Sequence, residues 1–271
     1  MNNKILLCII ALFLPSLSFA EPESSGISSE QLKPLNNVRV SMLRMLRSTD
    51  NQYFLDLYAG IWNPHGTLYD ESNSTAYALK GTQKADQINL LAERAEGMAT
   101  PNNETLSGEL NANTGIMQAS WNTPVGATSL SFEPAFKAPD KPVVVFKFYG
   151  VDDPQYPSGK ALTRVDVIDK KSNKVLQSLT GFTAFANSIG YMDINFDGYY
   201  DVVLSDVSNG KKIEDKRFIY WMFNPKTHQF QRSAQLDALI GFPRLRGDQQ
   251  QIDFGEGQLY QVKNGLMYLM Q

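Results

Sequence analysis

From Tyr53 onward the chain alternates apolar and polar residues with a period of two, in short runs broken by glycine, proline, asparagine and aspartate. Tyr53–Ile61, Thr67–Tyr69, Thr75–Leu79, Gln87–Glu93, Thr105–Leu110, Ile116–Trp121 and Thr128–Phe132 each suit a strand with one buried face. Short strands at this even spacing predict an antiparallel meander, either curled into a small barrel or laid out as successive sheets. Ala138-Pro-Asp-Lys-Pro142 interrupts the series, because two prolines flanking a charged pair halt any hydrogen-bond ladder.

A second series of strands follows: Val143–Tyr149, Leu162–Ile168, Val175–Leu179, Ser188–Tyr191, Val202–Leu204, Phe218–Phe223 and Gln229–Arg232. Two or three more run from Gln250 to Leu269, and Ser233 is placed to cap a helical turn reaching Leu239. Upstream, Leu35, Val38, Met42 and Met45 have the spacing of one helical face, with Arg39, Arg44 and Arg47 mostly elsewhere. This predicts one short packing helix within 31–47, although Val38-Arg39-Val40 also alternates like a strand. The fold class is therefore all-β: antiparallel hairpins in a β-propeller-like or two-lobed arrangement, with one short N-terminal helix. No internal repeat stands out, yet the strand spacing suits propeller blades.

Composition adds an address. Asn2-Asn3-Lys4, the apolar run Ile5–Leu17 and Ser18-Phe19-Ala20 have the three-part form of a secretory signal cut after Ala20. The expected organisation is a signal peptide over 1–20, a leader and short helix over 21–50, a first β region over 51–137 and a second over 138–271. Cys8, the single cysteine, lies inside the apolar run, so the processed chain holds no thiol and depends on core burial and metal for stability. The net charge of -3 and the lack of a basic block give no footprint for nucleic acid. No later stretch is long and apolar enough to predict a membrane-spanning helix after cleavage. An exported, disulfide-free, mildly acidic chain points to a bacterial periplasm.

The densest chemistry lies in Asp193-Ile-Asn195-Phe-Asp197-Gly198-Tyr199-Tyr200-Asp201. Oxygen side chains fall at loop positions 1, 3, 5 and 9, glycine stands at 6, and position 7 offers a backbone carbonyl, which is the spacing a hard cation requires. Asp193, Asn195, Asp197, the carbonyl of Tyr199 and Asp201 are the expected calcium ligands. An EF-hand would carry glutamate at position 12; here that residue is Leu204 and the flanks are strands. The alternative is an Asx-rich turn, yet carboxylates converging without a cation would repel one another.

This loop, together with Tyr220-Trp-Met-Phe-Asn-Pro-Lys-Thr227 and Phe230, resembles a family of exported bacterial calcium-binding proteins. That family pairs an Asp-Ile-Asn-Phe-Asp-Gly-Tyr loop with a downstream Tyr-aromatic-Leu-Phe-Asn-Pro-Lys-Thr-Gly-x-Phe hairpin. Here His228 replaces the usual glycine and Met222 the usual leucine. The resemblance runs roughly from Val143 to Leu239. It implies a β-propeller-like architecture and the role of an immunity protein of bacteria-killing type IV secretion systems, similar to periplasmic lysozyme inhibitors. The implied partner is a lysozyme-like peptidoglycan hydrolase. Inhibitors of several kinds insert a Ser-Gly loop with a nearby tyrosine into the enzyme cleft, and Tyr156, Ser158, Gly159 and Lys160 form the matching stretch. Ser-Gly beside proline is also an ordinary turn.

Two other function classes compete. A calcium-dependent envelope or glycan-binding module without inhibitory activity would use Tyr156, Tyr199 and Tyr200 to stack on sugars, although tyrosines in strands and turns more often pack. A hydrolase finds little support, since there is no Gly-x-Ser-x-Gly elbow or His-Glu-x-x-His pair, and His65 and His228 both fall in turn-like sequence. Glu93 and Glu96 read as exposed strand-end residues. The chain is expected not to be an enzyme.

Overall fold

The computed structural model describes residues 32–60 and 62–270, so the expected signal peptide and most of the leader lie outside the described residues. The first strands are β1 (Lys33–Pro34), β2 (Arg39–Ser48), β3 (Tyr53–Tyr58), β4 (His65–Asp70), β5 (Thr75–Lys84), β6 (Gln87–Glu93), β7 (Thr105–Leu110), β8 (Met117–Thr123) and β9 (Gly126–Pro134). Strands β2 to β9 pair antiparallel in chain order, and β9 returns to β2 through Leu46–Pro134, Arg47–Glu133 and Ser48–Phe132. That last pairing closes an eight-stranded barrel. Of the two arrangements the alternation allowed, the curled one is adopted.

The barrel interior is aliphatic and aromatic, with Leu46, Leu55, Leu57, Leu68, Ile88, Leu106, Met117 and Phe132 fully buried. Along β6 the pattern is strict: Ile88, Leu90 and Ala92 are buried while Gln87, Asn89, Leu91 and Glu93 face water. Each large side chain buried this way stabilises the fold by about 1.5–3 kcal/mol.

The remaining elements are β10 (Val144–Asp152), β11 (Lys160–Asp169), β12 (Val175–Leu179), β13 (Ala184–Phe185), β14 (Ser188–Met192), β15 (Asp201–Ser205), β16 (Phe218–Asn224) and β17 (Gln229–Arg232). They are followed by the one-turn helix α1 (Ala234–Asp237), β18 (Arg244–Arg246), β19 (Gln251–Asp253), β20 (Leu259–Lys263) and β21 (Leu266–Leu269). β1, β10, β11 and β12 form one sheet, with β13 on β11, and β18 to β21 form another. β14 to β17 form an antiparallel run that joins the barrel, because β14 lies parallel to β2 from Ser188–Arg39 to Tyr191–Met42. As expected, Ser233 caps α1, its side chain accepting the Leu236 N–H at 3.3 Å.

The expected N-terminal helix is not present: Arg39–Ser48 is the strand β2. Leu35, Val38, Met42 and Met45 satisfy a helical stripe, but the run from Met42 to Leu46 also satisfies a strand buried on both sides. Leu46 faces the barrel interior, whereas Leu43 and Met45 pack outward against β14–β20. Two-sided burial erased the period-two signal.

The same holds for β14–β16. Tyr191, Val202, Leu204 and Ile219 pack on one face against the β10–β13 sheet, and Met192, Val203 and Tyr220 pack on the other against β2, β3 and the C-terminal strands. The 193–201 loop thus emerges from the middle layer of the molecule.

Candidate metal centre

The loop connects β14 to β15 and winds tightly around its first aspartate. Asp193 Oδ1 accepts the Asp197 N–H at 3.0 Å and Oδ2 accepts the Gly198 N–H at 2.8 Å. Asp197 Oδ1 accepts the Tyr199 N–H at 2.9 Å, and its Oδ2 accepts from Asn195 Nδ2 at 2.9 Å. Gly198 is required twice over: its φ is +90°, and a Cβ there would come within 2.8 Å of the Lys137 carbonyl carbon. The close approach lays residues 137–142 across the loop, where Asp140 accepts a hydrogen bond from the Tyr199 hydroxyl.

Asp201 faces the backbone. Its Oδ2 accepts the Ile194 N–H at 2.9 Å and its Oδ1 accepts the Phe223 N–H at 2.8 Å, so one carboxylate ties the loop to β16. Each oxygen keeps a further lone pair. Tyr199 stacks on Phe223 with ring centroids 5.2 Å apart, and Phe223 packs edge-on against Phe230 at 5.3 Å.

Charge in this corner is poorly compensated. Burial pushes the Asp193 carboxyl up to about 7, against the hydrogen bonds from Gly198 and Asp197. Burial pushes Asp201 well above the carboxylate range, with the Phe223 and Ile194 N–H groups opposing it. The cation facing them is Lys141, whose own ammonium is pushed down to about 8 by burial, the Asp193 charge acting the other way. Asn195 Oδ1 is buried and accepts from no donor. Oxygen groups held together, short of positive charge and including an orphaned amide oxygen, suit a hard divalent cation.

Asp193, Asn195, Asp197, the Tyr199 carbonyl and Asp201 are the donors that could hold it, with Asp201 also locking the loop's exit. Among the described residues no three carboxylate, thiol or imidazole groups converge as a metal-ligating cluster. A cation here would rely on the amide and carbonyl oxygens as well as on the carboxylates.

The proposed contact stretch sits in the β10–β11 connection. Ser158 (φ 64°) and Gly159 (φ 69°) are consecutive left-handed residues in a short 3-10 turn. The turn is closed by the Asp153 N–H to the Gly159 carbonyl at 3.0 Å, and Asn187 Nδ2 donates to Ser158 Oγ at 3.0 Å. Ser158 and Gly159 are exposed, while Tyr156 and Lys160 are half-buried.

Of the other sequence candidates, Tyr199 is buried and Tyr200 lies under the Lys141 ammonium, 3.4 Å from the ring centroid. Neither offers a free face for stacking on a sugar. Glu93 and Glu96 are exposed. His65 opens β4 and stacks on Tyr58 at 4.7 Å, whereas His228 sits in the β16–β17 turn with φ 54°. Arg44, which has no ion-pair partner among the described residues, is not legible from sequence, since an arginine near a strand's middle carries no mark of its burial.

No protein-family model, characterised protein or solved structure matches this chain.

Proposed function

We propose that this is an exported periplasmic protein that binds and blocks a lysozyme-like peptidoglycan hydrolase, as an immunity protein does, with calcium in the 193–201 loop serving a structural role. The reading includes a β-propeller-like arrangement of the antiparallel units over β10–β21. It is a binding protein and not an enzyme.

The observation that supports it most is the junction of the two sequence motifs behind the resemblance. Asp201 from the loop accepts the Phe223 N–H of the Phe-Asn-Pro-Lys-Thr hairpin, and Tyr199 stacks on the same Phe223. Residues far apart in sequence thus form one packed unit. The left-handed φ of 54° at His228, where the family carries glycine, is a second point of agreement. For the contact loop, support comes from preorganisation: a turn already fixed by its own hydrogen bonds loses little entropy on docking.

The test is lysis of purified peptidoglycan by a panel of lysozyme-like enzymes, with and without an equimolar amount of the chain from Glu21 onward. At least one enzyme should lose most of its lytic activity, and Tyr156→Ala or Lys160→Ala should restore it. Full activity of every enzyme, with calcium present and the protein folded, rejects the reading.

A further inference from the structure

A second site lies beside the loop, in a cavity of about 800 Å³ between the barrel and the β10–β12 sheet. That volume falls within the roughly 300–1,000 Å³ typical of small-molecule sites. Its walls are largely apolar, including Met42, Phe136, Pro139, Phe146 and Tyr191. Into this lining the chain places Arg44 and Lys141.

Arg44 occupies the β2 face that carries Met42 and Leu46, and the residue has only 9% of its surface exposed. Among the described residues its guanidinium has neither a hydrogen-bond acceptor nor a carboxylate partner. Of the other charges lining the cavity, Lys137 pairs with Glu133 at 2.7 Å and Lys170 donates to Asn113 at 3.3 Å. Lys141 rests its ammonium on Tyr200 and forms no ion pair. Two cations are therefore held near one another, although like charges oppose folding; the charges of Asp193, Asp197 and Asp201 favour that of Lys141, while among the described residues no carboxylate does the same for Arg44. A guanidinium set in a largely apolar lining with no anionic partner costs free energy, and replacing it with an apolar residue would relieve that cost. Folding alone gives no reason for it.

We infer that this cavity binds an anionic amphiphile: a carboxylate or phosphate head held by Arg44 and Lys141, with an apolar body against Met42, Phe136 and Phe146. Arginine presents its donors as a planar fork that matches either head group, and lysine adds a point charge. The inference does not depend on calcium or on the hydrolase partner.

Isothermal titration of the chain from Glu21 onward with decanoate, decyl phosphate and the uncharged methyl decanoate tests it. One or both anions should bind at least about tenfold more tightly than the ester, and Arg44→Met should weaken that binding by about tenfold or more. Lys141→Met should weaken it as well. Preference for one anion identifies the head group. Arg44→Met should also melt at or above the parent temperature, because it removes an uncompensated charge. Equal binding of ester and anions, no binding of either anion, unchanged binding by Arg44→Met, or a loss of several degrees in its melting temperature would each overturn the inference.

Discussion

The barrel interior and the β14–β16 layer are equally dry and chemically opposite. The barrel core is a cluster of apolar side chains, so most of its stability comes from surface removed from water. In the layer, Asp193 and Asp201 are buried beside Lys141, and the neighbouring cavity holds Arg44, which has no ion-pair partner among the described residues. A region that keeps charges it does not neutralise is one whose stability depends on what binds to it. The difference separates scaffold from site more sharply than any sequence motif does.

The largest effect expected belongs to the scaffold. Leu106→Ala should cost about 2–5 kcal/mol in urea unfolding, with the same loss in calcium as in chelator. A calcium-dependent loss would mean that the two regions are not independent. Asp201→Ala comes next, at about 2–4 kcal/mol, because it leaves the buried N–H groups of Ile194 and Phe223 without an acceptor. A loss below about 0.5 kcal/mol would show that the carboxylate clamp contributes nothing.

Calcium itself should stabilise the parent protein by about 1.5–3 kcal/mol at 10 mM, if affinity is that of extracellular modules, roughly 10⁻⁴–10⁻³ M. Asp193→Ala should abolish the shift. Identical melting in calcium and in chelator would remove the metal from this account.

A subtler contrast lies on the barrel's outer wall. Asp56 on β3 is 7% exposed, its Oδ1 has no hydrogen-bond partner, and burial, with the nearby Asp248 adding to it, pushes its carboxyl well above the usual range. The native state thus keeps a proton that the unfolded chain releases near its ordinary value of 3.8. The stability Asp56 contributes is complete below that value and is lost as pH rises through its elevated native value. Asp56→Asn should flatten this decline, leaving the variant at least as stable as the parent near pH 8 by urea unfolding. The opposite order at that pH would show that Asp56 is charged in the folded state. The smallest effect is His228→Gly, a gain of up to about 1 kcal/mol from relieving the left-handed backbone. A loss there would mean that the His228 Nε2 contact 4.0 Å from Asp140 matters more.

Legibility followed the number of buried faces. β6, covered on one side, shows its role in every residue of Gln87–Glu93 except the exposed Leu91. β2, covered on both, imitates a helix stripe although it is a strand. The loop geometry was local and could be read, since Asp193, Asp197 and Gly198 form their contacts within five residues. Asp201's bond to Phe223, the strap at Asp140 and the cavity around Arg44 join segments tens of residues apart or more. Nothing in the neighbouring sequence marks such meetings.

The parallel register of β14 on β2 has a kinetic meaning. Bringing Ser188 to Arg39 closes a segment of roughly 150 residues, and that closure entropy must be met before the pairing returns anything. The barrel is built mostly from neighbouring hairpins, and its one long closure, β9 on β2, spans a shorter segment of roughly 85 residues. Hydrogen-exchange labelling during refolding should therefore find the barrel amides protected while the 193–201 loop still exchanges, so that the binding apparatus is the last part of the chain to come into existence.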